Sequence, residues 1–253
     1  MKRAERAASN TEWRRWGRDD PFYGVAAWDG RERGGANPWT AEEFYALGRS
    51  DWTDFRTRWV KYGVDFGHVV EIGCGAGRLT RWMAADFAFV LGVDVSDGMI
   101  DVARSHIPET NVELRLGDGM TLPVETATAD GVFSTHVFQH FESFALARAN
   151  FSEAARILKP GGTMMVHLPV VMPPSLPGID LAVAVKRKLG DMRAAVKRRR
   201  GAPLMRGLQY PWQWLIRELP TLGLVDVELA VFATLSNAGY HACVLARRED
   251  DSR

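Results

Sequence analysis

The stretch Val69-Val70-Glu71-Ile72-Gly73-Cys74-Gly75-Ala76-Gly77-Arg78 constrains this chain more than any other part of it. A short apolar run meets an acid, three glycines follow at alternate positions, and a helical pattern opens at Leu79. That order reads as strand, tight turn and helix N-terminus, by which α/β proteins bring backbone amides against a nucleotide-like ligand. A Cβ would obstruct both the positive φ angles of such a turn and the ligand's approach, so glycine is required. The spacing discriminates further. A G-x-G-x-x-G dinucleotide loop starting at Gly73 and Gly75 would need its last glycine where Arg78 stands, which argues against a nicotinamide enzyme.

From His68 onward the pattern alternates regularly between strand and helix. Strands are expected at 68–72, 89–93, 112–116, 131–137 and 163–168. Helices are expected at 78–87, at 97–105 behind a Ser96 cap, and at 145–158 before the stop signal Lys159-Pro160-Gly161-Gly162. Repeated βα order implies a parallel sheet with helices on both faces. A helix over 210–222 precedes a hairpin, 225–235 and 240–246, turning at Asn237-Ala238-Gly239. The expected fold is therefore α/β: a Rossmann-like, doubly wound, seven-stranded, mostly parallel sheet closed by a C-terminal antiparallel hairpin.

Ahead of the sheet, residues 1–63 read as an aromatic-rich helical cap on a main domain spanning 64–253. Six of the nine tryptophans fall before Val60. The arginine-rich residues 1–20 read as a frayed or partly helical tail. Thr40-Ala41-Glu42-Glu43 forms a capping box, with Trp39 and Phe44 at the positions of a hydrophobic staple. A second helix carries Trp52, Phe55, Trp59 and Tyr62 on one face. These aromatics either pack the cap onto the sheet or let the loop 22–39 cover a ligand. Residues 170–210 form an insertion after the fifth strand. Within it, 179–200 is a basic amphipathic helix with Leu181, Val185, Leu189, Met192 and Val196 on its stripe. It reads as a solvated helix, a lid, or a contact for a membrane surface or lipid-like substrate.

A length of 253 residues suits one decorated α/β domain, and a net charge of +1 argues against global nucleic-acid steering. No apolar run approaches ~20 residues, the length of a membrane span. Cys74 and Cys243 cannot build a disulfide framework and read as reduced thiols, which suggests a cytoplasmic protein. No His, Cys and Asp cluster has metal-ligand spacing, so no metal is expected.

Five motifs occur in order at strand ends: Glu71-Ile72-Gly73-Cys74-Gly75-Ala76-Gly77, Val93-Asp94-Val95-Ser96, Gly117-Asp118-Gly119, Asp130-Gly131-Val132-Phe133 and Leu158-Lys159-Pro160-Gly161-Gly162. Together they resemble the class I S-adenosylmethionine-dependent methyltransferase superfamily, small-molecule type, over roughly 64–247. The resemblance implies S-adenosylmethionine as cofactor. Gly73, Cys74, Gly75 and Gly77 would hold its methionine end, with Glu71 facing the ammonium or bracing the loop. Arg78 would pair with the carboxylate or cap the loop, and the backbone near Ser134 to His136 would face the same moiety. Asp94, beside Val95, would accept from the ribose hydroxyls. Asp118, between Gly117 and Gly119, would accept from the adenine amino group, and Met99 would lie against the ring or in the core.

The implied reaction is in-line methyl transfer to oxygen or nitrogen of a small-molecule acceptor. A base is needed only if the acceptor must lose a proton, and the candidates are His136, His140 and His167, with Tyr23 and Tyr45 behind them. The absence of N-P-P-[FY] after the fourth strand argues against exocyclic-amine chemistry on nucleic acid, which is not an expected partner. The alternatives are an RNA or protein methyltransferase using the basic insertion, or a binding protein without turnover. The sequence carries no signal of oligomeric state.

Overall fold

The computed structural model describes residues 3–172, 208–234 and 239–250. The basic stretch 179–200, and most of the 170–210 insertion, lie outside the described residues. Strands β1 (His68–Ile72), β2 (Phe89–Asp94), β3 (Val112–Leu116), β4 (Ala129–Thr135) and β5 (Leu158–Val171) run parallel in the spatial order β3-β2-β1-β4-β5. A two-residue strand, β6 (Tyr210–Pro211), pairs parallel with the end of β5. The hairpin strand β8 (Gly239–Arg248) inserts antiparallel beside β5, and β7 (Leu224–Thr234) pairs antiparallel with β8 at the edge. The sheet thus has eight strands where seven are expected. The extra one is a short addition that hydrophobic alternation could not signal.

Successive strand residues face opposite sides of the sheet, and both sides are dry. Val69, Phe133 and Met165 pack with Trp52 and Trp59 on one face. Val70, Val132 and Met164 pack with Phe138 and Phe151 on the other. Helices α5 (Asp97–His106), α6 (Phe144–Ile157) and α7 (Trp212–Glu218) follow their strands. Ser96 and Ser143 cap α5 and α6 by accepting from the amides of Met99 and Leu146. Among the described residues no helix is long and apolar enough to cross a membrane.

The N-terminal segment departs most from expectation. Where a frayed or partly helical tail is expected, residues Arg3–Asp19 form one continuous helix, α1. It is tied down by polar groups: Asn10 Nδ2 donates to the Asp118 carbonyl at 3.0 Å and Arg14 Nε to the Val95 carbonyl at 3.1 Å. Gly17 brings it against α5 so closely that a Cβ there would lie 2.2 Å from Ser96 Oγ. None of these contacts has a hydrophobic period, so the pattern could not reveal them.

After the short α2 (Pro21–Val25), the two helices expected in the cap are one, α3 (Ala41–Tyr62), with the capping box formed at Thr40 and Glu43. Gly48 is no break. It lets α3 cross the Arg78 backbone, whose carbonyl would lie 2.1 Å from a Cβ. Trp59 is fully buried and its Nε1 donates to Thr163 Oγ1 at 3.0 Å, fastening α3 to β5. The helix expected at 78–87 shrinks to one turn, α4 (Thr80–Met83). Beyond it, Asp86 accepts from Trp52 Nε1 and Arg56 Nε of α3.

Candidate active site

A cavity of about 1330 Å³ opens at the C-terminal ends of β1, β2, β3 and β4, beneath α1 and the segment 24–28. Gly73 and Gly75 turn the chain at φ 73° and 53°. A Cβ on Gly73 would lie 2.3 Å from Val137, and one on Gly75 2.8 Å from Val25, so neither glycine leaves room for a side chain. Gly73 and Cys74 both donate to the Val93 carbonyl, which locks the turn to the end of β2.

Glu71 is buried at the cavity wall, and its Oε2 accepts from Thr80 Oγ1 at 2.5 Å. Burial raises its pKa to about 7, against the opposing effects of Thr80 and Arg78. Arg78 is also buried and pairs with Asp51 of α3, a partner that no local spacing marks. Arg78 Nε has no partner among the described residues. Cys74 lines the cavity, and burial pushes its thiol well above its ordinary range.

Asp94 accepts the Gly75 amide on Oδ2 and the Ser96 amide on Oδ1, each at 2.9 Å. Each oxygen keeps a further lone pair. Burial raises its pKa and the backbone amides oppose that shift. Asp118 lines the cavity beside Gly117 and Gly119, its Oδ1 accepting from the amides of Met120 and Thr121 at 2.7 Å. Val95 and Met99 line the same wall, Met99 also packing with Phe44 and Tyr45 in the core beneath the cap.

Two of the expected cofactor residues do not reach the cavity lining. Gly77 faces Ile107 and Ala103 at the end of α5. Ser134 is fully buried, with its hydroxyl donating to the Ile72 carbonyl across β1 and β4. The strand alternation that turns Ser134 inward turns Thr135 the other way, and Thr135, His136 and Val137 line the cavity. Tyr45 is buried with its hydroxyl on the Ala76 carbonyl at 2.7 Å, which removes it as a base. Tyr23 packs its ring against Trp16.

The candidate histidines divide. His140 sits edge-on to Trp13, with ring centroids 4.8 Å apart. His136 and His167 come together at 4.4 Å between ring centroids, and a third histidine absent from the sequence reading, His241, joins them. The register explains the meeting. Thr135 lies opposite His167 across β4 and β5, while His241 lies opposite Pro169 across β5 and β8, diagonal to His167 on the same face. His136 then turns back at φ 59°, a backbone strain that for a non-glycine costs about 1–3 kcal/mol and clusters at functional sites. Its ring is open to the cavity although protein surrounds it. Burial, helped by the positive charge of Arg78, pulls its pKa down to about 3. Burial also holds His167 well below, and His241 below, the ordinary imidazole range. All three are shifted toward the neutral form.

Residues 70–166 match the family model described as a methyltransferase domain. Two curated relatives resemble the same region. Demethylmenaquinone methyltransferase of Symbiobacterium thermophilum is 36% identical over 102 residues, 38% of this chain and 39% of that protein. Malonyl-[acyl-carrier protein] O-methyltransferase of Hahella chejuensis is 35% identical over 99 residues, 38% of this chain and 34% of that protein. The chain thus matches little more than a third of the length of each. Magnesium protoporphyrin IX methyltransferase from Synechocystis PCC 6803, solved with bound SAH, superposes with a TM-score of 0.62 at 19% identity, covering 97% of this chain and 98% of that one. Family match, strand order and glycine turn agree on a methyltransferase domain over residues 70–166, set in a Rossmann-like sheet.

Proposed function

We propose that this chain binds S-adenosylmethionine in the cavity and transfers its methyl group to an oxygen or nitrogen of a small-molecule acceptor. The observation that carries this is the turn at Gly73 and Gly75, closed to any Cβ and joined to Asp94 through the Gly75 amide. The donor set suits that cofactor. The unpartnered Nε of buried Arg78 fits a carboxylate, and Glu71, poised near neutrality, fits an ammonium. The spare lone pairs of Asp94 fit two ribose hydroxyls, and Asp118 Oδ2 fits an adenine amino group.

When bound, the cofactor supplies a sulfonium methyl whose loss leaves a neutral thioether. The chain aligns the partners and keeps water away, contributions that reach several kcal/mol of barrier. Ala26, Ala27 and Trp28 of the cap, with Trp13 of α1, wall the opening over the glycine turn. His136, neutral and facing the cavity, can accept a hydrogen bond from an acceptor O–H or N–H. The small-molecule and carrier-linked names of the relatives support a small acceptor. Calorimetry of the full chain with S-adenosylmethionine and S-adenosylhomocysteine tests the reading. Binding of both is expected, and no heat from a chain that is folded by circular dichroism overturns it.

A further inference from the structure

We propose that His136, His167 and His241 form a binding site for one divalent transition-metal cation of the zinc class. One imidazole nitrogen from each histidine falls within 4.8 Å of the other two. A tetrahedral ion with bonds of about 2.0–2.1 Å spaces its imidazole nitrogens about 3.3 Å apart. His167 Nε2 and His241 Nδ1 already stand 3.0 Å apart in a hydrogen bond, whose shared proton the ion displaces. The remaining closure falls to His136, the most exposed member of the trio, which lines the cavity with His241.

The support for the ligands is also built. Thr135 Oγ1 lies 3.0 Å from His167 Nδ1, and a proton on that nitrogen, donated to the hydroxyl, leaves the Nε2 lone pair for a metal. The Gln139 side chain hydrogen-bonds His136. Phe232 stacks on His167 and Phe55 lies against it, fixing the ring in a dry wall. Three neutral imidazoles suit Zn²⁺, Co²⁺ or Ni²⁺, whereas Mg²⁺ and Ca²⁺ demand oxygen ligands.

Three protein ligands leave a tetrahedral ion one open position, the pattern of a catalytic site. That position faces the cavity through His136 and His241, and His136 is followed by Val137, which packs on the Gly73 turn. The three histidines contribute no negative charge, and Arg58 and Arg78 act on His167 with positive charge. The open position therefore favours an ionisable oxygen such as a phenol or enol. This use of the ion rests on the methyltransferase reading above. The cation lowers the pKa of the acceptor hydroxyl, whose proton leaves to solvent. The oxygen lone pair forms the new bond to the methyl carbon as the carbon–sulfur bond breaks, its electron pair going to sulfur.

The test uses the full chain, stripped with a chelator and titrated with Co²⁺ without cofactor, then with Zn²⁺ in competition. Uptake of one Co²⁺ per chain, with the visible absorption of a tetrahedral nitrogen-ligated ion displaced by Zn²⁺, is expected. His136→Ala, at a position facing the cavity and not the core, should weaken Co²⁺ binding by more than about 100-fold, and Thr135→Val by about 10–100-fold. S-adenosylhomocysteine calorimetry is run on each variant. A chain that binds S-adenosylhomocysteine but takes up no stoichiometric Co²⁺ overturns the metal site. So does uptake unchanged in both His136→Ala and His241→Gln. Co²⁺ uptake without S-adenosylhomocysteine binding would leave the metal site standing and sink the methyltransferase reading.

Discussion

At the scale of single residues, Asp94 and Glu71 stand near the ends of the adjacent parallel strands β2 and β1 and differ in their electrostatics. Asp94 keeps a lone pair on each oxygen after accepting the Gly75 and Ser96 amides. A hydrogen bond to a charged group is worth about 1.5–3 kcal/mol, so Asp94→Ala should weaken S-adenosylmethionine binding by at least about tenfold. Unchanged affinity in calorimetry would place the ribose elsewhere. Glu71 is held as an acid near pH 7 by burial. Its folded pKa lies above its unfolded value, so the unfolded chain loses this proton first and stability falls as pH rises between about 4.5 and 7. Glu71→Gln keeps an acceptor for Thr80 and cannot ionise. Its thermal midpoint, relative to the parent chain, should therefore climb from about pH 5 to pH 8; parallel curves would show that Glu71 titrates normally. The turn at Gly73 and Gly75 and the strand-end positions of Glu71, Asp94 and Asp118 on the cavity wall were legible because they rest on short spacings. That Gly77 and the Ser134 side chain lie off the cavity lining was not legible, because a motif does not tell which of its members lines a cavity.

At the scale of elements, α3 shows two effects in competition. Alanine exceeds glycine in helix propensity by about 1 kcal/mol, which alone would make Gly48→Ala stabilising. The Arg78 carbonyl, 2.1 Å from that Cβ, belongs to the backbone and cannot swing aside. Overpacking of this kind costs about 1–3 kcal/mol, so the substitution should lower the thermal midpoint and loosen the Arg78–Asp51 pair. A raised midpoint in denaturation would refute the close crossing. The same element explains why one helix reads as two. The capping box at Thr40 and the aromatic face from Trp52 read as separate starts, and Gly48, the crossing point, lies within the one helix that joins them. The caps at Thr40, Ser96 and Ser143 were readable in advance only at Thr40 and Ser96, where residues and spacing coincide with a strong motif.

At the scale of the whole molecule, four desolvated histidines dominate the response to acid, His167 and His241 buried and His68 and His136 walled by protein. Desolvation depresses the pKa values of His68, His136, His167 and His241 below the unfolded imidazole value. The unfolded chain therefore binds the extra protons, and the stability these groups lend above about pH 6.5 is lost as pH falls below it. Glu71 runs the other way over part of that window but is one group against four. The thermal midpoint should drop on acidification below about pH 6.5, and His167→Gln should flatten the slope; an unchanged slope would mean that the trio is solvated. The amino-acid sequence by itself determined the strand-and-helix alternation, the parallel sheet with its closing hairpin, the glycine turn and the acids after β2 and β3. These follow from contacts within a few residues or from side-chain periodicity, which a linear pattern records. Only the tertiary structure decided that α1 seals the cavity, that Arg78 pairs with Asp51, and that His241 meets His136 and His167. Those meetings depend on which strand edges pair and in what register, and hydrogen bonds between strands far apart in the chain leave no mark on local spacing.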